Sequence, residues 1–422
     1  MEHEPGPQLL TVTDPLSAQN RLPTGFLGRW GGGIGANRRF LLFLSLSCLF
    51  NFGMFVFYLI YNLYLLDLGF KEDLLGAISS ASTTGSMAGT LAAVTLHRRA
   101  GLQRSLILFL VGTALISTVR ALITVKWILI GAAFVSGTLF SVWAVSIAVV
   151  IAQIATDRQR VFAFSVYIAT VIGVGIVGDA VGGRLPLLIG HVFALSGAVE
   201  AKRWTLFIGA WLAGFAAVPA LFMRLEPVDR SAGRHYPRGP FIWRFLAALA
   251  LINLATGAFN PFANAYFSQY LKMRVDQIGL IFSGGQIAQV IAIVLSPILI
   301  RRLGLVWGIV SMEIAAGVSL LFLSTGPAPI GAALGYAGYL AFQWMDEPAM
   351  DTLLMGRVDP SERSGASAMM YMVMFGAAAV AAYLSGLALI RIGYPRLMIV
   401  AASLLLAGAL SFGFLLRKLD VK

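Results

Sequence analysis

The chain has 422 residues, of which 58% are hydrophobic and only 12% are charged, and its mean hydropathy is +0.83. Soluble domains carry about 25% charged residues, so this chain has roughly half the charge that a water-facing surface needs. A soluble protein is therefore excluded, and lipid is the solvent for most of the chain. The net charge of +12 follows the pattern of membrane orientation, so no nucleic-acid partner is expected. The single cysteine, Cys48, excludes an intramolecular disulfide and a cysteine metal cluster.

Apolar segments follow one another along the chain, and each approaches the length of about 20 residues that a bilayer-spanning helix needs. They predict an all-α membrane protein with twelve transmembrane helices, over residues 40–66, 74–97, 104–123, 126–152, 161–183, 204–223, 243–270, 278–300, 305–324, 330–355, 365–390 and 395–416. The apolar stretch 184–203 is interrupted by proline and glycine, so we expect an outer loop with an interfacial turn there.

Polar segments divide the chain into parts. Residues 1–39 are polar and rich in proline and glycine, and they are too long for the charged start of a signal peptide. The predicted order is a flexible cytoplasmic tail (1–39), an N-terminal six-helix bundle (40–223), a cytoplasmic linker (224–242), a C-terminal six-helix bundle (243–416) and a cytoplasmic C-terminus (417–422).

Basic residues are concentrated in alternate loops. With the N-terminus in the cytoplasm, roughly two thirds of the 31 lysines and arginines lie in cytoplasmic segments, which agrees with the positive-inside rule. An even number of spans then places both termini in the cytoplasm. We expect an integral protein of a bacterial inner membrane. The arginine-rich stretch 224–244 also suits anionic lipid headgroups, although a linker between two halves needs no ligand.

A shift of 203 residues superimposes the two halves of the sequence. The matching positions are Asp73 with Asp276, Gly76 with Gly279, Arg98-Arg99 with Arg301-Arg302, Gly101 with Gly304, and Gly183 with Gly386. With a slip of one residue, Asn62 and Tyr64 match Asn264 and Tyr266. Two six-helix halves in parallel orientation imply a pseudo-two-fold axis along the membrane normal.

This repeat resembles the major facilitator superfamily over residues 40 to 416. The loop signature of that family between helices 2 and 3 corresponds to residues 98–102, with Arg98 at its acidic position. Its antiporter signature in helix 5, Gly-Pro-x-x-Gly-Gly, corresponds to residues 178–183, with Asp179 in place of proline. The loop 359–363 also resembles the family.

The resemblance implies a monomeric secondary transporter that works by alternating access, in the drug:proton antiporter branch. A central cavity lined by helices 1, 4, 7 and 10 is then expected. We expect gate contacts at the two basic loops and near the outer end of helix 5, from Arg98, Arg99, Arg301, Arg302, Asp179 and Arg184.

The tenth span has the most polar residues that could carry chemistry. Asp346 and Glu347 lie near its middle, and Pro348 follows them. Proline cannot donate a backbone hydrogen bond, so a kink is expected beside the two acids. Desolvation and like charge both disfavour ionisation of adjacent carboxyl groups. The pair is therefore predicted to exchange a proton for substrate, although either acid could instead bond a neighbouring helix.

Uncharged polar and aromatic residues on the other central helices are candidates for substrate binding. They are Asn51, Tyr58, Tyr61 and Asn62 in the first span, Trp143 in the fourth, Asn260, Asn264 and Tyr266 in the seventh, Gln286 in the eighth, and Gln343 and Trp344 in the tenth. Amide side chains can bind a substrate, but they also join transmembrane helices to one another. Glu313, in the ninth span, is interpreted as a structural residue.

Sequence motifs exclude other classes of function. No GxxxxGK[ST] loop for ATP, no HExxH and no GxSxG is present, so no enzyme activity and no cofactor are expected. The four histidines lie outside the expected bundle core, and the methionines Met370 and Met374 are interpreted as packing residues, so no metal site is expected. Proton-coupled export of a small amphipathic or cationic compound is predicted. Alternatives are proton-linked uptake of a metabolite or metal chelate, and a non-transporting sensor or scaffold.

Overall fold

The computed structural model describes residues 37–195, 197–223, 225 and 236–417, and the regular structure in these ranges is helical. The first part of the chain contains α1 (Arg38–Asp67), α2 (Glu72–Ala100), α3 (Leu102–Leu122), α4 (Lys126–Ile154), α5 (Asp157–Val192), α6 (Ala198–Phe215) and α7 (Ala217–Leu221). The predicted tail and linker lie largely outside the described residues.

The second part of the chain contains helices with several irregular turns. It comprises α8 (Pro240–Phe259), a 3₁₀ turn (Asn260–Phe262), α9 (Ala263–Ala265), a π turn (Tyr266–Tyr270), α10 (Val275–Leu303), α11 (Leu305–Ser324), α12 (Pro329–Met345), α13 (Glu347–Arg357) and α14 (Arg363–Leu416). α14 contains Gly393 with φ 74° and ψ 169°, so it consists of two helices joined across a kink.

Nine helical segments in the described ranges are long and apolar enough to cross a membrane, which makes this an integral membrane protein. α2 is not among them, because serine, threonine and glycine lower the hydropathy of its sequence. The outer surface agrees with a lipid environment: large apolar side chains such as Trp127 and Ile330 are 81% and 78% exposed.

The predicted loop over 184–203 is wrong. α5 continues to Val192 with Pro186 inside it, and α6 begins at Ala198. Proline removes only one backbone donor from a helix, and such breaks are tolerated in membrane helices where neighbouring groups satisfy the freed carbonyl. The connection between α5 and α6 is therefore much shorter than the sequence suggested.

Helix contacts form two sets. In the first set, α1 packs against α5 and α6, and α4 packs against α2 and α3; in the second, α14 packs against α8 and α11, and α12 packs against α10 and α11. The sets meet mainly where α2 crosses α14 and where α5 crosses α10. We call the end of the protein where α1 ends and α2 begins the distal end, and the opposite end the proximal end.

The internal repeat is also a repeat of contacts. A Cβ atom built on Gly76 would lie 2.9 Å from the Cα of Gly386, and one built on Gly183 would lie 3.1 Å from the Cα of Gly279. The shift of 203 residues relates Gly76 to Gly279 and Gly183 to Gly386, so each contact is the repeat equivalent of the other. The distal crossings of α2 with α14 and of α5 with α10 are therefore equivalent, and glycine allows both close approaches.

Candidate functional site

The predicted kink beside the acidic pair is confirmed. α12 ends at Met345, α13 begins at Glu347, and Asp346 joins them with φ −88° and ψ −17°. Pro348 has no N–H group, so the regular hydrogen bonding of one helix cannot pass through this point. The backbone N–H groups of Ala349 and Met350 both donate to the carbonyl of Asp346, each at 2.9 Å.

A cavity of about 120 Å³ opens at this kink. Its walls come from α8, α11, α12, α13 and α14. The lining includes four acidic residues and, among its described members, no lysine or arginine; the acids are Glu313, Asp346, Glu347 and Asp351. Around them lie the aromatic residues Trp344 and Tyr371, three methionines, and the uncharged polar residues Asn253, Thr256 and Gln343.

The deepest acids of this cavity lie side by side. Glu313 on α11 is 1% exposed and Asp346 is 3% exposed, and their carboxyl groups lie within electrostatic range of each other. Three buried oxygen atoms at the cavity have no hydrogen-bond partner: Oε2 of Glu313, Oδ2 of Asp346 and Oε1 of Gln343. Unpaired buried acceptors are costly and mark a place where a ligand or proton binds.

Glu347 and Asp351 extend the line of acids along α13. Both are exposed and are separated by one helical turn, so their side chains share one face. Glu347 lies within electrostatic range of both Asp346 and Asp351. The four carboxyl groups therefore form a continuous series from the buried pair towards the proximal end.

Of the residues predicted for substrate binding or coupling, the structure brings four to this cavity: Gln343, Trp344, Asp346 and Glu347. Glu313 on the ninth predicted span, Asn253, Thr256 and Tyr371 also line it. From the sequence, Glu313 was interpreted as a structural residue, because the family resemblance makes its helix peripheral. Its charge within an apolar segment was the available signal.

Asn62 and Asn264 join α1 to the irregular segment after α8 at the distal end. The Asn62 amide donates to the carbonyl of Pro261 at 2.8 Å and to Oδ1 of Asn264 at 3.1 Å. Asn264 donates in turn to the carbonyl of Leu59 at 3.2 Å. A shift of 202 residues relates Asn62 to Asn264 and Leu59 to Pro261, so the two bonds to backbone carbonyls are equivalent in the repeat. Both amides therefore bond to protein and connect the two helix sets at the distal end.

Several other predicted substrate residues also contact protein. Asn51 donates to the carbonyl of Ser47 in its own helix at 2.8 Å. Asn260 accepts from the Tyr339 hydroxyl at 2.7 Å, and the Tyr266 hydroxyl donates to the carbonyl of Leu323 at 2.7 Å. Tyr58 is 44% exposed.

Trp143 and Tyr61 are buried in packed aromatic groups. Trp143 contacts the rings of Phe43, Phe50, Phe109 and Tyr167. The ring of Tyr61 lies 4.1 Å from the guanidinium carbon of Arg120, which is itself 3% exposed and was not identified from the sequence. Both predicted substrate residues therefore lie in the interior of the first helix set.

The predicted gate residues occupy two kinds of place. Asp179 is buried where α5 crosses α10, and it accepts a hydrogen bond from Gln286, a predicted substrate residue. Arg184 is exposed, as are Arg99, Arg301 and Arg302, and the side chain of Arg98 lies outside the described part. Gly101 and Gly304 end the two basic motifs with φ of 83° and 84°, so the two loops share one backbone conformation.

The expectation that all histidines lie outside the packed core is wrong for His97. It is 3% exposed, and its Nε2 lies 2.7 Å from the hydroxyl of Ser146 on α4.

A larger cavity of about 370 Å³ lies at the proximal end, beside the first turn of α8 and the end of α13. Its lining mixes Arg357 with Asp359 and Glu362, so it favours no single charge.

No protein-family model and no curated protein matches this sequence. Solved structures of transporters match the fold. A nucleoside transporter, NupG, superposes with a TM-score of 0.72 at 14% identity, covering 90% of this chain and 98% of that chain. The chain has a transporter fold. An auto-inhibited POT family peptide transporter matches with a TM-score of 0.72 at 13% identity over 91% of this chain and 98% of that one.

A third match is a bacterial homolog of the human lysosomal transporter Spinster, in an inward-facing and occupied conformation. Its TM-score is 0.71 at 13% identity, covering 92% of this chain and 99% of that chain. These identities are too low to transfer a substrate. They support the whole helical arrangement, because the coverage extends over nearly the full length of each chain.

Proposed function

We propose that this protein is a secondary active transporter that exports a small amphipathic or cationic organic compound in exchange for protons. One observation carries the proposal: the cavity at the α12–α13 kink is lined by four carboxyl groups and, among its described lining residues, by no basic group. Such a site attracts cations, and protons compete for the same carboxylates.

The proposal includes an architecture of twelve spans in two six-helix bundles, over 40–223 and 243–416. Nine of the twelve spans are the long apolar segments. The other three are the polar helix α2, the second of the two helices in α14, and α12 together with α13. Two-fold equivalent contacts at Gly76–Gly386 and Gly183–Gly279 support the pairing of the bundles. Alternating access would open one end of such a pair while the other closes.

The cavity size limits which part of a substrate it accepts. At roughly 30 Å³ per water molecule, about 120 Å³ holds about four waters, which suits an ammonium headgroup. Trp344 and Tyr371 present aromatic rings that attract cations, and Met350, Met370 and Met374 offer an adaptable apolar wall. An organic cation with an apolar body fits this chemistry better than a sugar or an anion.

Transport in proteoliposomes tests the function. Purified protein would be reconstituted and a panel of organic cations, with ethidium as the fluorescent probe, would be assayed with and without an imposed pH gradient. We expect accumulation that depends on the gradient. Glu347→Gln fixes a neutral side chain of similar size and should abolish gradient-driven transport while substrate exchange continues. Asp346→Asn should behave in the same way if it shares the proton.

The controls separate the alternatives. Glu200→Gln removes an exposed acid at the start of α6, away from the cavity, and should transport normally. Gradient-driven transport at the wild-type rate by the Asp346→Asn, Glu347→Gln double variant would contradict the coupling role. Net uptake of a metabolite or chelate would favour the opposite direction, and the absence of any exchange across the panel would favour a sensor or scaffold.

A further inference from the structure

Glu313 and Asp346 make a contact between two carboxyl groups that the proposed function has not yet used. Both side chains are more than nine-tenths buried, and they line the same cavity within electrostatic range of each other. Two carboxylates buried this close together are strongly disfavoured when no positive charge compensates them. One bound proton on the pair removes that repulsion.

The surroundings of the pair supply no positive charge to replace that proton. α8 contributes apolar, amide and hydroxyl side chains to the cavity. The titratable groups that face the pair and its cavity are Tyr339 on α12, Glu347 and Asp351 on α13, and Tyr371 on α14. Among the described residues around the cavity none is basic. Two uncompensated negative charges in such a place are strongly disfavoured.

We propose that Glu313 and Asp346 share one coupling proton, and that Glu347 and Asp351 carry it between this pair and the proximal end. The inference rests on the proposed function and names the group that stores its proton. Oε2 of Glu313 and Oδ2 of Asp346, both without a partner, provide the acceptor positions at which a proton can arrive and leave.

The transfer needs no other reactant. The Asp346–Glu313 pair gives its proton to Glu347, and Glu347 passes it to Asp351, one turn away on the same face of α13. Asp351 releases the proton to water at the proximal end. At each step one O–H bond forms on the acceptor and one breaks on the donor, which is left as a carboxylate. A cation entering beside Glu347 makes the ionised form of these acids favourable, so the proton leaves.

The repeat is broken at this pair. A shift of 203 residues relates Asp346 to Trp143 and Glu313 to Leu110. Both counterparts are buried apolar residues in the aromatic core of the first helix set. At these two positions the second half carries acids, whereas the first half carries packed apolar side chains. The fold can therefore pack without acids there.

Infrared spectroscopy detects the shared proton without a substrate. In pH-difference spectra of reconstituted protein, the stretching band of a protonated carboxyl group should be present in the wild type. It should be lost in Glu313→Gln and in Asp346→Asn, because the new amide donates to the remaining carboxylate and stabilises its ionised form. Glu347→Gln and the control Glu200→Gln should keep it. Retention of the band at wild-type intensity in both Glu313→Gln and Asp346→Asn would overturn the proposal.

A transport assay distinguishes residues that store the coupling proton from residues that carry it to the proximal end. Glu313→Gln should lower gradient-driven ethidium accumulation roughly tenfold or more and retain ethidium exchange, which also shows that the variant is folded. Asp351→Asn should lower only the initial rate, because Glu347 is itself exposed and can still exchange its proton with water when Asp351 is neutral. Coupled transport by Glu313→Gln at the wild-type level refutes the storage role. Absence of coupling in the wild type instead refutes the proposed function, and the infrared band still decides whether the pair shares a proton.

Discussion

Asp179 lies where α5 crosses α10 and is 3% exposed. Its carboxyl group accepts a hydrogen bond from Gln286, so the two helix sets are joined there by one polar contact. The sequence marked Asp179 because an acid replaces proline in a glycine-rich segment. It did not indicate Gln286 as the partner, because the residues are 107 positions apart and only the crossing of two helices brings them together.

Asp179→Leu should destabilise this crossing. The half-buried amide of Gln286 would lose its acceptor, which costs at most about 1–3 kcal/mol. Asp179→Asn keeps an oxygen acceptor and should cost less than half as much. Thermal unfolding in detergent, followed by fluorescence of the native tryptophans, measures the difference. Equal stability of the two variants would show that the contact with Gln286 contributes nothing.

The acidic site was predictable from the sequence in part. Asp346, Glu347 and Pro348 are adjacent, so their kink and their clustered charge follow from local chemistry. Glu313 joins them from another helix, and no periodicity in its apolar segment indicates that direction. Asn62 and Asn264 were identified as polar, but only the folded arrangement shows that they bond across to each other's helices.

At the scale of helices, glycine sets how closely the two halves approach at the distal end. A Cβ atom on Gly76 would lie 2.5 Å from the carbonyl oxygen of Ala382, and one on Gly279 would lie 2.4 Å from that of Asp179. Real Cβ atoms do not approach a backbone oxygen so closely, so an alanine at either position must move a helix. The sequence repeat predicted that these glycines are equivalent, and the contacts explain why glycine is needed.

Gly76→Ala should therefore weaken closure of the distal end by separating α2 from α14. Gly279→Ala should have the same effect at the crossing of α5 and α10, because the repeat makes the two contacts equivalent. Gly131→Ala is the matched control, since nothing lies within 4 Å of a Cβ atom at that position. Distances between spin labels at the distal start of α2 and beside the Gly393 kink of α14 measure the opening. An unchanged distance distribution in Gly76→Ala would contradict this role of the glycine.

Hydropathy predicted the position of most helices, because burial in lipid requires long apolar segments. It was wrong at 184–203, where proline and glycine were given more weight than the continued apolar sequence. It correctly placed a break at 391–394, where Gly393 divides α14 into two helices. It could not show that Asp346 interrupts the tenth predicted span, because that break depends on single backbone positions rather than on average composition.

For the whole molecule, the repeat and the charge distribution lead to one orientation in the membrane. The equivalent contacts at Gly76–Gly386 and Gly183–Gly279 agree with the arrangement expected of parallel repeats. The basic motifs that end at Gly101 and Gly304 both lie at the proximal end, together with the start of α1 and the end of α14. From the positive-inside rule we therefore predict that the proximal end faces the cytoplasm.

Cysteine labelling tests this orientation. Cys48 is the only cysteine in the sequence, so Cys48→Ala gives a background without reactive thiols. On it, Tyr236→Cys places a thiol at an exposed proximal position before α8, and Lys126→Cys places one at the exposed distal start of α4. An impermeant maleimide should label Lys126→Cys in intact cells and should label Tyr236→Cys only after permeabilisation. The opposite pattern would invert the topology. The series from Asp351 to Glu313 would then exchange its protons with water outside the cell, and proton-linked uptake would replace export as the direction that this site supports.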